Sequence, residues 1–195
     1  MIKLLDLLEN KILVPRRSKE ERQENYQKAI QKKIQQYIKG GNKGNLDLFN
    51  APITSLPDNL EVGGHLNLEN TSVQSLPNSL KVGGNLNLRN TSIKSLPNNL
   101  EVKGNLNLEN TPIQSLPNNL EVKGNLFLED TPIQSLPNGL KVGGSLVLFG
   151  TPIKSLPNDL EVKGSLFLKG TPLSKKYNEE EIKAIVPGVK GDIYY

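Results

Sequence analysis

From residue 45 onward the chain repeats one 20-residue pattern, and that register limits its fold more than any other feature. The tetrapeptides at 45–48, 65–68, 85–88, 105–108, 125–128, 145–148 and 165–168 all read x-Leu-x-Leu. Seven positions after each of the first six comes Ser-Leu-Pro, at 55, 75, 95, 115, 135 and 155. A fixed period of this length is the signature of a stacked solenoid. One such unit cannot bury its apolar side alone and must stack on its neighbours. Columns of residues pointing inward are therefore architecture. Only the outward columns and the two non-repeating ends are free to carry a task.

Residues 84–103 serve as the type coil. Leu86 and Leu88 alternate with Asn85, Asn87 and Arg89, the pattern of a half-buried strand with its leucines inward. Thr91 and Ile93 follow as the chain turns, and Leu96-Pro97 forces an extended step before a turn at Pro97-Asn98-Asn99. Leu100 and Val102 alternate again and predict a second short strand, after which Gly104 allows the return bend. The expected fold class is thus a mainly β repeat solenoid with a parallel sheet.

The ends read differently. Residues 2–13 alternate Leu and Ile with charges at helical spacing, which predicts a short helix before Pro15. Ser18-Lys-Glu-Glu21 is a capping box, and Tyr26, Ala29, Ile30, Ile34, Tyr37 and Ile38 then line one face up to Gly40-Gly41. Such a helix, placed before the first coil, is suited to covering the open end of the stack. At the other end, residues 189–195 match 162–168 position for position, with Asn178 to Ile185 reading as a capped helical turn between them. An eighth, edge strand is expected there. The organisation is a helical cap over 1–43, a solenoid of seven coils over 44–173, and a C-terminal cap over 174–195.

The coil sequence resembles the leucine-rich repeat in its short bacterial and phage form: Leu86-Asn-Leu88, Thr91, Ile93 and Leu96-Pro97 stand at that family's positions. The resemblance recurs over about two-thirds of the chain and implies a right-handed solenoid with its parallel sheet on the concave side. Two departures stand out. Threonine occupies 71, 91, 111, 131, 151 and 171 where the family usually has asparagine, so a hydroxyl ladder is expected in place of an amide ladder. A glycine or lysine also stands where the family's first leucine belongs. Ala51 lacks even the hydroxyl, which predicts that the first coil is the least regular. The N-terminal arm, through Lys11 to Ser18 and Gln31 to Ile38, resembles uncharacterised open reading frames of tailed phages. That resemblance implies a viral source and brings no known activity.

Composition removes several classes of chemistry. With no cysteine, there is no disulfide framework, thiolate metal site or thiol nucleophile. The start lacks a long apolar core and a small-residue cleavage site, and no stretch approaches the ~20 apolar residues of a membrane span. A soluble, intracellular protein without membrane association is expected, and the Asn70 and Asn90 sequons read as by-products of the repeat. His65, the one histidine, occupies a strand column otherwise filled by Asn and Ser and reads as a surface substitution. Glu129-Asp130 has no partner constellation, and no phosphate-binding glycine loop or metal-binding motif occurs. The paired Gly-Gly and Lys-Gly steps are bends common to all coils. No enzyme, cofactor or metal is expected.

The outward columns carry the functional expectation. Neighbouring coils lie ~4.8 Å apart, so residues twenty apart form ladders. One column runs Asp47, Asn67, Asn87, Asn107, Phe127, Val147, Phe167, and Tyr194 if the eighth strand forms; the next runs Phe49, Glu69, Arg89, Glu109, Glu129, Phe149, Lys169. Asn67, Asn87 and Asn107 are expected to stack as an amide ladder, and Glu69, Arg89 and Glu109 to pair across coils. All four phenylalanines face outward, although phenylalanine normally belongs in a core. Phe127, Val147, Phe149, Phe167 and Tyr194 are therefore expected to form an exposed apolar patch that binds a protein partner or a second copy. The alternative is nucleic-acid binding. Residues 1–43 hold 11 Lys and Arg against 5 Asp and Glu, the remainder 13 against 15. Arg16, Arg17, Lys28, Lys32 and Lys33 would then contact phosphates, though no aromatics interleave with them to stack on bases. A non-enzymatic binding module, as an accessory virion component or a host-interaction protein, is the functional expectation.

Overall fold

The structure is a computed structural model that describes residues 18–195. The expected helix over 2–13, with Arg16 and Arg17, lies outside the described residues. Among those residues, fourteen two-residue strands form two sheets: β1 Leu46–Asp47, β2 Glu61–Val62, β3 Leu66–Asn67, β4 Lys81–Val82, β5 Leu86–Asn87, β6 Glu101–Val102, β7 Leu106–Asn107, β8 Glu121–Val122, β9 Leu126–Phe127, β10 Lys141–Val142, β11 Leu146–Val147, β12 Glu161–Val162, β13 Leu166–Phe167 and β14 Ile193–Tyr194. The long sheet has eight parallel strands in the order β1-β3-β5-β7-β9-β11-β13-β14, and the shorter sheet runs from β2 through the even-numbered strands to β12. Every pairing keeps the 20-residue register until the last, where Leu166 pairs with Ile193 and Phe167 with Tyr194. The chain is thus a parallel β-solenoid, with the expected second strand in the first six coils and the expected edge strand at its end.

The two leucines of each long-sheet strand segment fill the space between the sheets. Leu66, Leu68, Leu86, Leu88, Leu106 and Leu108 have no solvent exposure, and Ile93, Ile113, Ile133 and Ile153 close the core behind them. Each such side chain stabilises the fold by roughly 1.5–3 kcal/mol when fully buried. The Pro-Asn turn closes through a hydrogen bond three residues on, as from Leu100 N–H to the Pro97 carbonyl at 3.2 Å. After each strand the chain reverses at a residue with positive φ, 54–58° at Asn50, Asn70, Asn90, Asn110 and Asp130. Only Gly, Asn and Asp visit that region readily, which explains why Gly150 and Gly170 complete this column.

Contact between coils is closest at the bend before each strand. The side chain of one coil accepts the backbone N–H of the next: Asn45 from His65 at 2.8 Å, His65 Nδ1 from Asn85 at 2.8 Å, and Asn85 from Asn105 at 2.9 Å. The ladder continues through Asn105, Asn125 and Ser145 to Ser165. The glycine just before each rung has no room for a side chain. A Cβ on Gly104 would lie 2.3 Å from Asn85 Oδ1, and one on Gly124 would lie 2.3 Å from Asn105 Oδ1. The glycines act here through close approach, and the expected bend is only part of their role. His65 takes the asparagine's place in the ladder by offering Nδ1 as acceptor.

The threonines do not form a ladder between coils. From Thr71 to Thr151 each hydroxyl donates within its own coil to the leucine carbonyl three residues back, as Thr91 to Leu88 at 2.7 Å and Thr111 to Leu108 at 2.6 Å, whereas the Thr171 hydroxyl accepts Ser174 N–H at 3.1 Å. At that depth the nearest free acceptor belongs to the turn itself, so the hydroxyl closes the turn locally. Ala51, without a hydroxyl, keeps the backbone bond to Leu48 at 3.0 Å and accepts Ile53 N–H at 2.8 Å, and Ile53, partly buried where its counterparts are fully covered, marks the first coil as the irregular one.

Helix α1, Lys19–Lys39, starts with the expected capping box, in which Ser18 N–H donates to Glu21 at 3.0 Å and Glu21 N–H to Ser18 at 3.1 Å. Its contact with the stack is shorter than the sequence pattern suggests. Ile30 and Ile34 are buried and Tyr37 and Ile38 partly so, but Tyr26 and Ala29 are exposed. The helix covers polar groups of the first coil as well as leucines. Lys33 donates to the Asp47 carbonyl of β1, and the Tyr37 hydroxyl accepts Gly63 N–H at 3.2 Å while lying 2.8 Å from the Asn42 carbonyl. At the other end α2, Pro172–Lys176, which the sequence pattern does not anticipate, begins on Thr171. Helix α3, Glu179–Ile185, carries the expected cap on Asn178.

The ladder is open to direct measurement by urea unfolding. Asn105→Ala, which leaves the Asn125 N–H without its acceptor, should cost about 1 kcal/mol. Gly124→Ala should cost more, about 2–3 kcal/mol, because backbone as well as side chain must shift. His65→Asn should leave the midpoint unchanged, whereas His65→Leu should lose about 1 kcal/mol.

Candidate functional site

The outer face of the long sheet is built from two columns. Their register beyond the strands is fixed by bonds such as Asn110 N–H to the Glu129 carbonyl at 3.0 Å and Asp130 N–H to the Phe149 carbonyl at 3.0 Å. The face has two halves of different chemistry.

In the first half the polar residues satisfy one another. Asp47, Asn67, Asn87 and Asn107 each accept the backbone N–H two residues ahead, at 2.9–3.1 Å, and so cap the end of their own strand. The expected amide ladder in this column does not form, because the N–H at i+2 is nearer than the next coil's amide. Of the expected charge series, Arg89 pairs with Glu109 at 3.0 Å, whereas Glu69 accepts from Asn87 Nδ2 at 2.9 Å. The cross-coil salt bridges are thus half of those expected.

In the second half the caps are gone, since Phe127, Val147 and Phe167 carry no acceptor. Phe149 meets Phe167 edge to face with ring centroids 5.7 Å apart, and Phe167 stacks on Tyr194 at 4.7 Å. This packing leaves the expected exposed patch only partly exposed. Val147, flanked in its column by Phe127 and Phe167, is only 7% exposed; the three phenylalanines are half-buried, and Tyr194 is the open member at 46%. The patch is a partly self-covered aromatic surface. Phe49 stands alone at the far end of the sheet and is exposed.

Glu129 lies at the junction of the halves, two residues after Phe127 and between Glu109 and Phe149 in its column. Its Oε2 is covered yet meets no hydrogen-bond donor. Burial raises the Glu129 carboxyl above its ordinary range, against the opposing effect of its own backbone N–H; Glu109 and Asp130 add to the rise and Arg89 opposes it. Sequence reasoning passed over this residue, although Phe127 and Phe149 beside it in the columns were the available signal.

Among the residues proposed for nucleic acid, Lys28 pairs with Glu24 at 2.6 Å and Lys33 is held by Asp47. Lys32 is exposed on the same helix. A groove of about 570 Å³ between α1 and the first coil is lined by Gln27, Gln31, Gln35, Thr54 and Ser55 among apolar residues, with no ionisable side chain among its described lining residues. Among the described residues no cluster of His, Asp and Glu is placed to hold a metal ion, and no helix is long and apolar enough to cross a membrane. The chain matches no known protein-family model and no curated protein sequence.

A carboxyl whose folded pKa is raised is penalised when ionised. Its cost is present at neutral pH and disappears as pH falls through the raised value towards the ordinary one of 4.5. Glu129→Gln should therefore raise the melting temperature at neutral pH, with the gain shrinking towards zero by pH 4.5, as read from thermal unfolding across a pH series.

Proposed function

We propose that this chain is a non-enzymatic binding module whose aromatic half-face, Phe127, Val147, Phe149, Phe167 and Tyr194, receives a protein partner. One observation carries the reading. The same outward column that holds strand-capping asparagines in three coils holds Phe, Val and Phe in the next three, so a local stabilising bond is given up for apolar surface at the face. Partly buried aromatic side chains in a ring of polar neighbours are the usual energetic centre of a protein interface. The resemblance to leucine-rich repeats supports a sheet-face mode of binding, though it rests on analogy of fold. The resemblance of the N-terminal arm to tailed-phage reading frames supports a phage-encoded accessory virion or host-interaction protein.

Nucleic-acid binding through the N-terminal arm is the second reading, supported by the positive balance of residues 1–43 and by the exposed Lys32. It calls for binding of duplex DNA that falls steeply with salt and is lost in Lys32→Glu. Lys32 is the residue to reverse, because changing Lys33 would also uncap β1.

For the binding-face reading, the repeat itself supplies the test variant. Phe127→Asn, Val147→Asn and Phe167→Asn together install the residue that coils two to four already use. The triple variant should unfold within about 2 kcal/mol of the parent, as restored caps offset lost apolar burial. Peptides selected on the parent from a random dodecapeptide library should lose at least tenfold in affinity for it. Retention of all such binders by a folded triple variant would exclude the aromatic face.

A further inference from the structure

Glu129 is the one member of the aromatic half-face whose bonding is incomplete. Its Oε2 is covered by the fold yet accepts no hydrogen bond. The guanidinium on this face, Arg89, lies two coils before Glu129 and pairs through Nη2 with Glu109 at 3.0 Å, its own Nε being covered and unpartnered. By register, Glu129 has Phe127 two residues before it on the same side of the strand and Phe149 beside it in the next coil. One oxygen of the carboxylate is thus set at the edge of an aromatic surface without a hydrogen-bond donor. Resting on the binding-face reading above, we propose that Glu129 is the specificity position of that face, and that the partner presents an arginine to it from an apolar segment.

Arginine fits better than other donors for three reasons. Its guanidinium is flat and can lie along aromatic rings while its N–H groups reach a carboxylate. It is less strongly hydrated than an ammonium, so bringing it to a half-buried site costs less. A charged donor also meets the acceptor in the form that gains most from a charge-assisted bond. Phosphate-bearing partners are disfavoured here, because Glu109, Glu129 and Asp130 would all repel them. Lys169 is exposed in the same column two coils beyond Glu129, so charge changes sign along the face. A cation is thereby directed to the Glu129 end, with the apolar part of the partner over Phe149, Phe167 and Tyr194.

The test uses the whole chain, Glu129→Gln and the triple asparagine variant, each panned with the same random dodecapeptide library. Peptides from the parent should be enriched in arginine next to apolar residues. Glu129→Gln should bind them about tenfold more weakly, and the triple variant should lose them. In an NMR titration the Glu129 carboxyl should become more acidic when an arginine peptide is added, and stay unchanged with a peptide carrying neutral citrulline in place of arginine. Binders that need residues 127, 147 and 167 but show no arginine enrichment, or bind equally well with citrulline, would overturn the arginine assignment and leave the binding face standing. Binders indifferent to the triple variant, or no binders at all, would overturn both. Concentration-dependent self-association abolished by the triple variant would assign the face to a second copy, and preferential binding of acidic peptides or oligonucleotides would equally overturn the proposal.

Discussion

The fold depends on how closely one coil can approach the next at the bend before each long-sheet strand. There the asparagine of one coil reaches over the following coil's glycine to take the N–H beyond it. The glycine must lack a side chain for that reach to exist: a Cβ on Gly144 would come within 2.1 Å of Asn125 Oδ1. Each bond is worth only about 1 kcal/mol. Its leverage comes from repetition, because six rungs in sequence hold the coils to one spacing and one register. Even the last coil, lengthened by α2 and α3, returns to the same place, with Gly191 set against the Gly164 backbone. The insertion is accommodated elsewhere on the coil because that corner cannot accept it.

That corner leaves the outer face of the long sheet comparatively free. Residues there are joined to the backbone only through a side-chain cap, which asparagine supplies and phenylalanine does not. Loss of the cap in three successive coils is tolerable because the corner ladder and the leucine core already hold those strands. The face can therefore vary without loss of the stack, which is the physical basis for looking for function there. The shorter sheet shows the opposite behaviour. Its exposed column runs Glu61, Lys81, Glu101, Glu121, Lys141 and Glu161, with pairs such as Lys141–Glu161 at 3.0 Å, and such exposed pairs add little individually. It keeps that side polar.

Much of this was legible in the linear pattern. The period located every long-sheet strand, the capping boxes at Ser18 and Asn178 located two helices, and the match of 189–195 to 162–168 located the edge strand. What was not legible was the choice of partner for each polar side chain. Asn67 and Asn85 both lie outward at 20-residue spacing and look alike in sequence. One bonds forward along its own strand, the other across to the next coil, because the nearest unsatisfied N–H differs at the two positions. The same competition turned the threonine hydroxyls inward to their own turns and divided Glu69 from Arg89. The burial of Val147 and the orphan oxygen of Glu129 follow from neighbours contributed by other coils, which no single coil reveals.

Sequence alone thus determined the architecture of this protein: coil length, inward leucines, and a column that changes from Asn to Phe, Val and Phe. These follow from local stereochemistry and from a periodicity that any stacked arrangement must respect. Tertiary structure alone decided which donors and acceptors meet, how far the aromatics cover one another, and that one carboxylate oxygen among them has no donor. Those outcomes depend on distances between coils, where differences of an ångström or less separate a hydrogen bond from an unpaired group.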